Sequence, residues 1–319
     1  MNKVLVTGCA GFIGSQFSKK IIKKNKIIGI DNLDKYYSTS LKKKRIEELK
    51  KNKNFFFYKI DIQNEKKLDN LIKKHKFKYV FHFAAQAGVR YSIINPKKYT
   101  LTNIFGTINL LNSLKNKNVK KIFLSSSSSV YGEQKKFPLN ETIKAAPINH
   151  YAYTKKVNEI TGEYFSLLNN MNIYMLRFFT VYGQWGRPDM FFFKLFKSFY
   201  TKKKFELNNN GNHERDLTHI DDVCEILIRL IKVKIKKKFD IFNVCSNKPV
   251  NIRNVVNYVN ANLFKVNIKK KPRNFLDVKK THGNNKKILK IVKYKKFKNY
   301  KSAIIRLHDW YLKNKIYKY

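Results

Sequence analysis

Tyr151 and Lys155 stand four residues apart in the stretch Tyr-Ala-Tyr-Thr-Lys. In a helix that spacing stacks a phenol and an ammonium on one face. An ammonium held beside a phenol favours the phenolate and turns a poor base into a usable one near neutral pH. Taken alone the pair is weak, because Tyr and Lys are abundant here and such pairs most often mark a solvated helix face. It gains force only if the chain also supplies a cofactor site and a hydroxyl partner.

A cofactor site is legible at the N-terminus. Residues 3–7 form a short apolar run, followed by Gly8-Cys-Ala-Gly11-Phe12-Ile13-Gly14 and a helical stretch to about residue 24. Glycines between a strand and a helix permit a tight turn and close backbone approach to a pyrophosphate, and the helix N-terminus adds amide donors. The next apolar run, 26–30, ends in Asp31. An acidic side chain there suits the 2′-hydroxyl of an adenosine ribose and repels a 2′-phosphate, so NAD is favoured over NADP. A plain turn or cap aspartate is the competing explanation.

The elements that must carry these residues alternate. An amphipathic helix is predicted over 36–51 and a strand over 55–60, ending in Asp61-Ile62; that pair suits an adenine edge, with turn chemistry an equal explanation. A fourth strand, 79–85, ends in the small residues Ala84 and Ala85 after Phe83. The loop 86–90 follows, then a helix through Asn103. A fifth strand, 121–124, runs into five serines, 125–129, and then Val130-Tyr131-Gly132. The serines lie where a parallel strand ends, which is where open α/β sheets bind ligands. A hydroxyl there can bond the oxygen that Tyr151 deprotonates. The Tyr151 helix is predicted over 149–168 and a sixth strand over 172–179. Repeated strand–helix alternation predicts an α/β fold, a Rossmann-type doubly wound parallel sheet.

Beyond residue 179 the pattern changes. Residues 180–190 read as a loop and 191–200 as an aromatic helix. A short strand and turn follow over 204–211, and 215–222 reads as the cap of a helix reaching about 232. A strand at 239–244 returns to the main sheet. Later come a helix from 251, a basic strand near 268–271, a loop at 273–277 and two more helices. The expected organisation is a dinucleotide domain, 1–180 with 219–246 returning to it, and a smaller α/β substrate domain, 181–218 with 247–319.

Composition narrows the class. The 319 residues are 43% hydrophobic, enough for a sizeable core. No apolar run is long enough to span a bilayer, and no secretory leader is visible, so neither membrane insertion nor export is expected. Cys9, Cys224 and Cys245 have no metal-ligand spacing. They fit reduced thiols in a cytoplasmic protein, and no metal is expected. The net charge of +47 invites a nucleic-acid reading. Yet only nine of the 68 basic residues are Arg, and the lysines are scattered rather than gathered in one stripe. Charge of compositional origin on solvated faces is the preferred reading, with no specific nucleic-acid partner. His82, His213 and His219 read as structural or solvated, and Cys9 as a small filler.

These residues resemble the extended short-chain dehydrogenases/reductases of the nucleotide-sugar epimerase group along nearly the whole chain. The features shared, in order, are Gly8-x-x-Gly11-Phe12-Ile13-Gly14, Asp31-Asn32, His82-x-Ala84-Ala85, Asn103, Ser-Ser-Val130-Tyr131-Gly132, Tyr151-x-x-x-Lys155 and Arg215-Asp216. Residues 86–92, 36–42 and above all 177–190 are similar to the UDP-glucuronate 4-epimerases. Gln184, Leu217 and Tyr153 depart from the group's usual residues, and Asn274-Phe275-Leu276-Asp277 lacks a Pro-Gly.

The resemblance implies NAD-dependent 4-epimerisation of UDP-glucuronate to UDP-galacturonate through a transient 4-keto sugar. It implies Tyr151 as base then acid, Lys155 as its electrostatic partner and ribose ligand, and Ser127 as third catalytic hydroxyl. Gly8, Gly11, Phe12, Ile13, Gly14, Asp31, Asn32, Asp61, Ile62, Phe83, Ala84, Ala85, Asn103, Tyr151, Lys155 and Phe178 would hold NAD. Arg90, Ser127, Ser128, Thr180, Arg187, Arg215 and Asp277 would bind the substrate, Thr180 and Arg187 at the sugar carboxylate and Arg215 with the 273–277 loop at the diphosphate and ribose. Arg90 as a simple loop anchor, and Arg215 paired with Asp216 or Asp221, remain open. A homodimer through helices of the NAD domain is also implied. Rivals are a UDP-glucuronate decarboxylase, a UDP-glucose 4-epimerase, a dehydratase and a non-catalytic NAD-binding regulator. The dehydratase would need an acidic pair where Ser128 and Ser129 stand.

Overall fold

The computed structural model describes residues Met1–Tyr319. The first half alternates as anticipated: β1 (Asn2–Thr7), α1 (Phe12–Ile21), β2 (Asn25–Asp31), α2 (Thr39–Lys50), β3 (Phe55–Lys59), α3 (Glu65–Lys73), β4 (Tyr79–His82), α4 (Tyr91–Ile94), α5 (Pro96–Tyr99), α6 (Gly106–Leu114), β5 (Lys121–Ser127), α7 (His150–Asn169) and β6 (Ile173–Phe178). The second half adds β7 (Thr180–Tyr182), α8 (Phe191–Tyr200), β8 (Phe205–Asn208), β9 (Glu214–His219), α9 (Ile220–Lys232), β10 (Phe239–Val244), β11 (Pro249–Asn251), α10 (Ile252–Asn262), β12 (Ile268–Lys271), α11 (Lys286–Val292) and α12 (Tyr300–Lys313).

Seven strands form one sheet in the order β10-β6-β5-β4-β1-β2-β3, every neighbouring pair parallel. Helices cover both faces, which is why the strands read as near-continuous apolar runs. One face packs Val4 and Val6 of β1 under α1, α9 and α11. The other packs Leu5, Ile122 and Ile173 under α3, α6 and α7. The direction of crossover reverses between β1 and β4, and a doubly wound sheet opens a ligand crevice there. A third apolar cluster, built on Phe193, Phe196, Val255 and Leu307, joins α8, α10 and α12 around two small sheets. No helix is long and apolar enough to cross a membrane.

Several elements differ from the sequence reading. Residues 180–182 were expected in a loop and 215–219 in a helix cap, yet both are strands, paired in parallel as β7 and β9. Each is short and finds its partner far along the chain, so neither shows a local strand pattern. The helix expected from residue 36 starts at Thr39, because Ser38 caps it by accepting from the Leu41 amide. Before that cap the Asp31, Asn32 and Asp34 side chains each bond the backbone two residues on, a run of polar turns that competes with helix. The stretch through Asn103 breaks into α4 and α5 and then a π-helical turn at Thr100–Phe105.

One buried ion pair fixes α7 against the strands that feed the crevice. Arg177 on β6 grips Glu159 with two bonds of 2.7 and 2.8 Å, and Ser126 on β5 donates to the same carboxylate at 2.7 Å. Glu159 lies one helical turn beyond Lys155, so this triad sets the height of the Tyr151–Lys155 face over the end of β5. Glu159→Gln leaves the buried guanidinium without its counter-charge. The expected loss, read by urea unfolding, is about 3–5 kcal/mol; a loss below about 1 kcal/mol would show that the pair does not hold the helix.

Candidate active site

Two contiguous cavities open at the C-terminal ends of the strands. The first, about 370 Å³, runs from the glycine turn to α7. The second, about 700 Å³, continues toward α8, β8 and β9 and shares Thr180 and Arg187 with the first.

The glycine turn forms because nothing larger fits. Gly8 has φ +69°, and a Cβ there would stand 2.6 Å from the Ala84 amide nitrogen. A Cβ on Gly14 would stand 2.3 Å from the Gly8 carbonyl oxygen. The first turn of α1 has no side-chain cap, so its amides face the cavity. Asp31 ties this turn to β2: its carboxylate accepts from the Ala10 amide at 3.0 Å and the Leu33 amide at 2.8 Å. Burial raises the Asp31 pKa, and Lys42, followed by those amides, pulls it back.

The structure brings most of the sequence-predicted residues onto one wall. Gly8, Gly11, Phe12, Ile13, Gly14, Asp31, Asn32, Ile62, Phe83, Ala84, Ala85, Phe178, Ser127, Ser128, Tyr151, Lys155, Thr180 and Arg187 all line the first cavity. Two predicted cofactor residues do not. Asp61, partly exposed, accepts from the Asn32 side chain at 2.7 Å. Asn103 is fully buried and spends its amide on Gln86 and Thr154, bracing the loop above it. Arg90, Arg215 and Asp277 line the second cavity.

At the centre, Asn149 caps α7 by accepting from the Ala152 amide, and Ser92 accepts from the Tyr151 amide at 3.1 Å. The Tyr151 phenol is therefore held at the very start of the helix. Burial raises its pKa, while a hydrogen bond with Ser127 and the positive charge of Arg187 lower it. Lys155 does something other than the simple pairing expected. Its Nζ donates to the Ser125 carbonyl at 2.8 Å and approaches the Ser125 hydroxyl at 3.4 Å. Burial drops its pKa to about 7. The serine run thus has three jobs: Ser125 anchors the lysine, Ser126 the ion pair, and Ser127 faces the phenol.

Several residues escaped sequence reasoning. Arg45 on α2 is almost fully buried. Its Nη1 donates to the Ala10 carbonyl at 2.9 Å and the Tyr37 hydroxyl at 2.8 Å. Its Nη2 donates to the carbonyls of Trp185 and Gly186 at 2.6 and 2.9 Å. One guanidinium therefore straps the glycine turn to the 183–190 loop. Arg187 is gripped by Asp189 through two bonds, 2.9 and 2.5 Å, and Asp189 also accepts from the Tyr36 hydroxyl at 3.1 Å. Arg90 and Asp277 pair at 2.7 Å across the second cavity. Arg215 does not pair with Asp216 or Asp221. The Asp216 carboxylate accepts from Ser246, Asn247 and Gly283, and Asp221 pairs with Lys20. His82 is buried between Thr7 and Thr107, and burial takes its pKa down to about 3, so it is a neutral bracket. His213 and His219 are likewise held neutral, near 4.

The fold is that of a dinucleotide-binding α/β enzyme, and Tyr151, Lys155 and Ser127 line its cavity. The chain belongs to the NAD dependent epimerase/dehydratase family, which residues 4–245 match. It is 36% identical to the UDP-glucuronate 4-epimerase of Thermodesulfobacterium geofontis over 319 residues, 98% of this chain and 97% of that one. Its fold matches a crystal structure of a Bacillus cereus UDP-glucuronic acid 4-epimerase variant with UDP-4-deoxy-4-fluoro-glucuronic acid and NAD. That match has a TM-score of 0.92 and 28% identity, and covers 98% of this chain and 99% of that one. A Thermotoga maritima UDP-glucose 4-epimerase with UDP-glucose matches at a TM-score of 0.86 and 26% identity, covering 98% and 99%. The Cβ-free glycine turn, the uncapped α1 amides and the small Ala84–Ala85 wall fit an NAD diphosphate.

The depressed Lys155 pKa has a thermodynamic consequence. Between about pH 7 and the ordinary lysine range the unfolded chain binds the proton that the folded chain has released, so stability rises with pH across that window. Below about pH 7 the full burden of the buried ammonium is present. Lys155→Met is expected to raise the melting temperature most near pH 6, with the gain shrinking toward pH 9, as differential scanning calorimetry would show. A gain that grows with pH would contradict the assignment.

Proposed function

We propose that this chain interconverts UDP-glucuronate and UDP-galacturonate at C4. The observation that carries this reading is the convergence of Tyr151 and Ser127 with Thr180 and Arg187 around one cavity. The first pair acts on a sugar hydroxyl and the second suits a sugar carboxylate. NAD, when bound, supplies a reversible acceptor for the hydrogen on C4. Tyr151 takes the proton of the 4-hydroxyl at its phenolate oxygen, and Ser127 holds the same sugar oxygen. Lys155, anchored on Ser125, supports the ionised phenol in its protonated form and would bond the cofactor ribose. The 4-keto sugar turns over about its diphosphate link, so that the hydride returns to C4 on its other face as Tyr151 gives the proton back to the oxygen. Arg90, Arg215 and Asp277 grip the nucleotide while the sugar rotates.

The carboxylate contact sorts the rivals. A UDP-glucose epimerase has no use for Arg187, and a dehydratase needs acids where this chain has Ser128 and Ser129. Held in the sugar plane by Thr180 and the free Nη1 edge of Arg187, the carboxylate resists loss of carbon dioxide at the keto stage. Asp189 already fills the other edge of that fork, so it sets how tightly the sugar acid is held.

We assign residues 1–180 and 219–246 to the NAD domain and 181–218 with 247–319 to the sugar-nucleotide domain. Three free cysteines suit a reducing cytoplasm, and acidic polysaccharide is the natural use of the product. Exposed Tyr153, Ile160, Tyr164, Leu167 and Leu168 form a stripe on α7, with Leu101 and Phe105 on the neighbouring π-helical turn. Such a stripe supports a homodimer through this helix.

Incubation with UDP-glucuronate, with products resolved by NMR, tests the reading. UDP-galacturonate is the expected product; UDP-xylose would make the chain a decarboxylase, and no turnover on any UDP-hexose would leave a regulator. Arg187→Ala is expected to lower kcat/KM on UDP-glucuronate about tenfold to a hundredfold. Asp189→Asn frees the fork and is expected to lower KM for the acidic sugar. Equal effects of Arg187→Ala on UDP-glucose and UDP-glucuronate would remove the carboxylate from the account.

A further inference from the structure

The main sheet is wholly parallel, so every strand begins at one edge, opposite the cavities. The connections that lead into β2, β3, β4, β5 and β10 span residues 22–26, 50–54, 73–78, 115–121 and 232–238. Together they contain nineteen lysines, no Arg, no Asp and no Glu. Seventeen of those lysines are exposed. The loops at the opposite edge carry both signs, including Asp34, Asp61, Arg90, Glu133 and Glu141. The scatter of lysine along the sequence therefore becomes a one-signed face once the strands are laid parallel.

Two ordinary explanations account for only part of it. Helices α1, α2, α3, α6 and α9 end at this edge, and their C-termini favour cations. Lys121 does that work: it is buried, and its Nζ donates to the carbonyls of Leu230 and Ile231 at 2.8 and 3.1 Å and to that of Val233. Local ion pairs take up two more, Lys51 with Glu48 and Lys73 with Asp69. The other exposed lysines have no acidic partner in the chain.

We propose that this edge is a docking face for an anionic lipid surface. Seven strands at about 4.8 Å spacing make a face about 30 Å wide, broad enough to meet a plane at many points at once. Its charges are all ammonium groups, hydrated point charges rather than forked guanidiniums that clasp single phosphates. Within these connections the one large ring, Phe77, is buried; the exposed rings beside them, Phe56 and Tyr58 on β3, are flanked by Lys26 and His75 and form no run of faces for stacking successive bases. That combination fits adsorption at the headgroup level, driven by charge alone and reversed by salt. Docked this way, the protein turns both cavities toward water. The inference does not depend on which sugar the site takes.

Two charge-reversed proteins with the same change in net charge test it. One carries Lys53→Glu, Lys76→Glu, Lys117→Glu, Lys236→Glu and Lys237→Glu on the edge. The other carries Lys135→Glu, Lys136→Glu, Lys144→Glu, Lys269→Glu and Lys270→Glu elsewhere. Binding is measured by co-sedimentation with phosphatidylserine–phosphatidylcholine vesicles, at about 0.1 M salt, where screening extends over about 10 Å. Circular dichroism and turnover in solution confirm that both variants are folded. The wild-type protein and the second variant are expected to bind these vesicles and to ignore pure phosphatidylcholine. The edge variant is expected to lose about a thousandfold or more in affinity. The proposal is overturned by equal loss in both variants, by no binding of the wild type, or by tighter binding to duplex DNA or RNA than to vesicles at the same salt.

Discussion

A lysine ammonium held out of water at the end of a buried strand is the constraint around which this site is built. Lys155 is 2% exposed, and burial brings its pKa to about 7. An isolated charge there would be expelled or neutralised. The Ser125 carbonyl at the end of β5 meets it, and the neighbouring side chains keep that meeting in place. Asn149 and Ser92 fix the start of α7, and Glu159 with Arg177 and Ser126 fixes the turn beyond it. The phenol of Tyr151 is aimed by the same helix, so its position follows from the lysine's.

The second constraint is a strap between two halves of the site. Arg45 bonds the glycine turn with one nitrogen and the 183–190 loop with the other. The distance between the dinucleotide cradle and Arg187 is therefore set by one side chain. The two ion pairs on the sugar side are different in kind. Arg187 with Asp189 is partly buried, and Arg90 with Asp277 is half-exposed. Both arginines stand ready beside cavities that suit anions, each with a carboxylate of the chain already in attendance.

How much of this was legible in the sequence depended on how local the cause was. Buried parallel strands are continuous apolar runs, and the glycine turn and its acidic partner follow each other within one βαβ unit. The fold and the dinucleotide wall could therefore be read directly. Tyr151 and Lys155 announced themselves by spacing. β7 and β9 did not, because their partners lie far along the chain: β7 pairs with β9, and β9 with both β7 and β11. Arg45 was read as one more base on an amphipathic helix, since its partners are carbonyls about 140 residues away. Asn103 and Asp61 were read as cofactor ligands from their place in the order of motifs; the sequence did not show that Asn103 braces Gln86 and Thr154 or that Asp61 meets the Asn32 side chain. The Ser125 contact was hidden in a serine run that looked uniform but divides its labour residue by residue. The one-signed sheet edge was invisible for a related reason: only the parallel topology gathers lysines that are dispersed along the chain.

The claim on which the rest depends is that the Tyr151 phenol moves the proton in both half-reactions while the cofactor cradle stands apart from it. The direct measurement is turnover and NAD content of Tyr151→Phe purified beside the wild-type protein. Bound NAD at wild-type stoichiometry and no measurable conversion of UDP-glucuronate are the expected results. Conversion within about tenfold of the wild-type rate would contradict it, because general acid–base catalysis by a positioned group contributes far more than that.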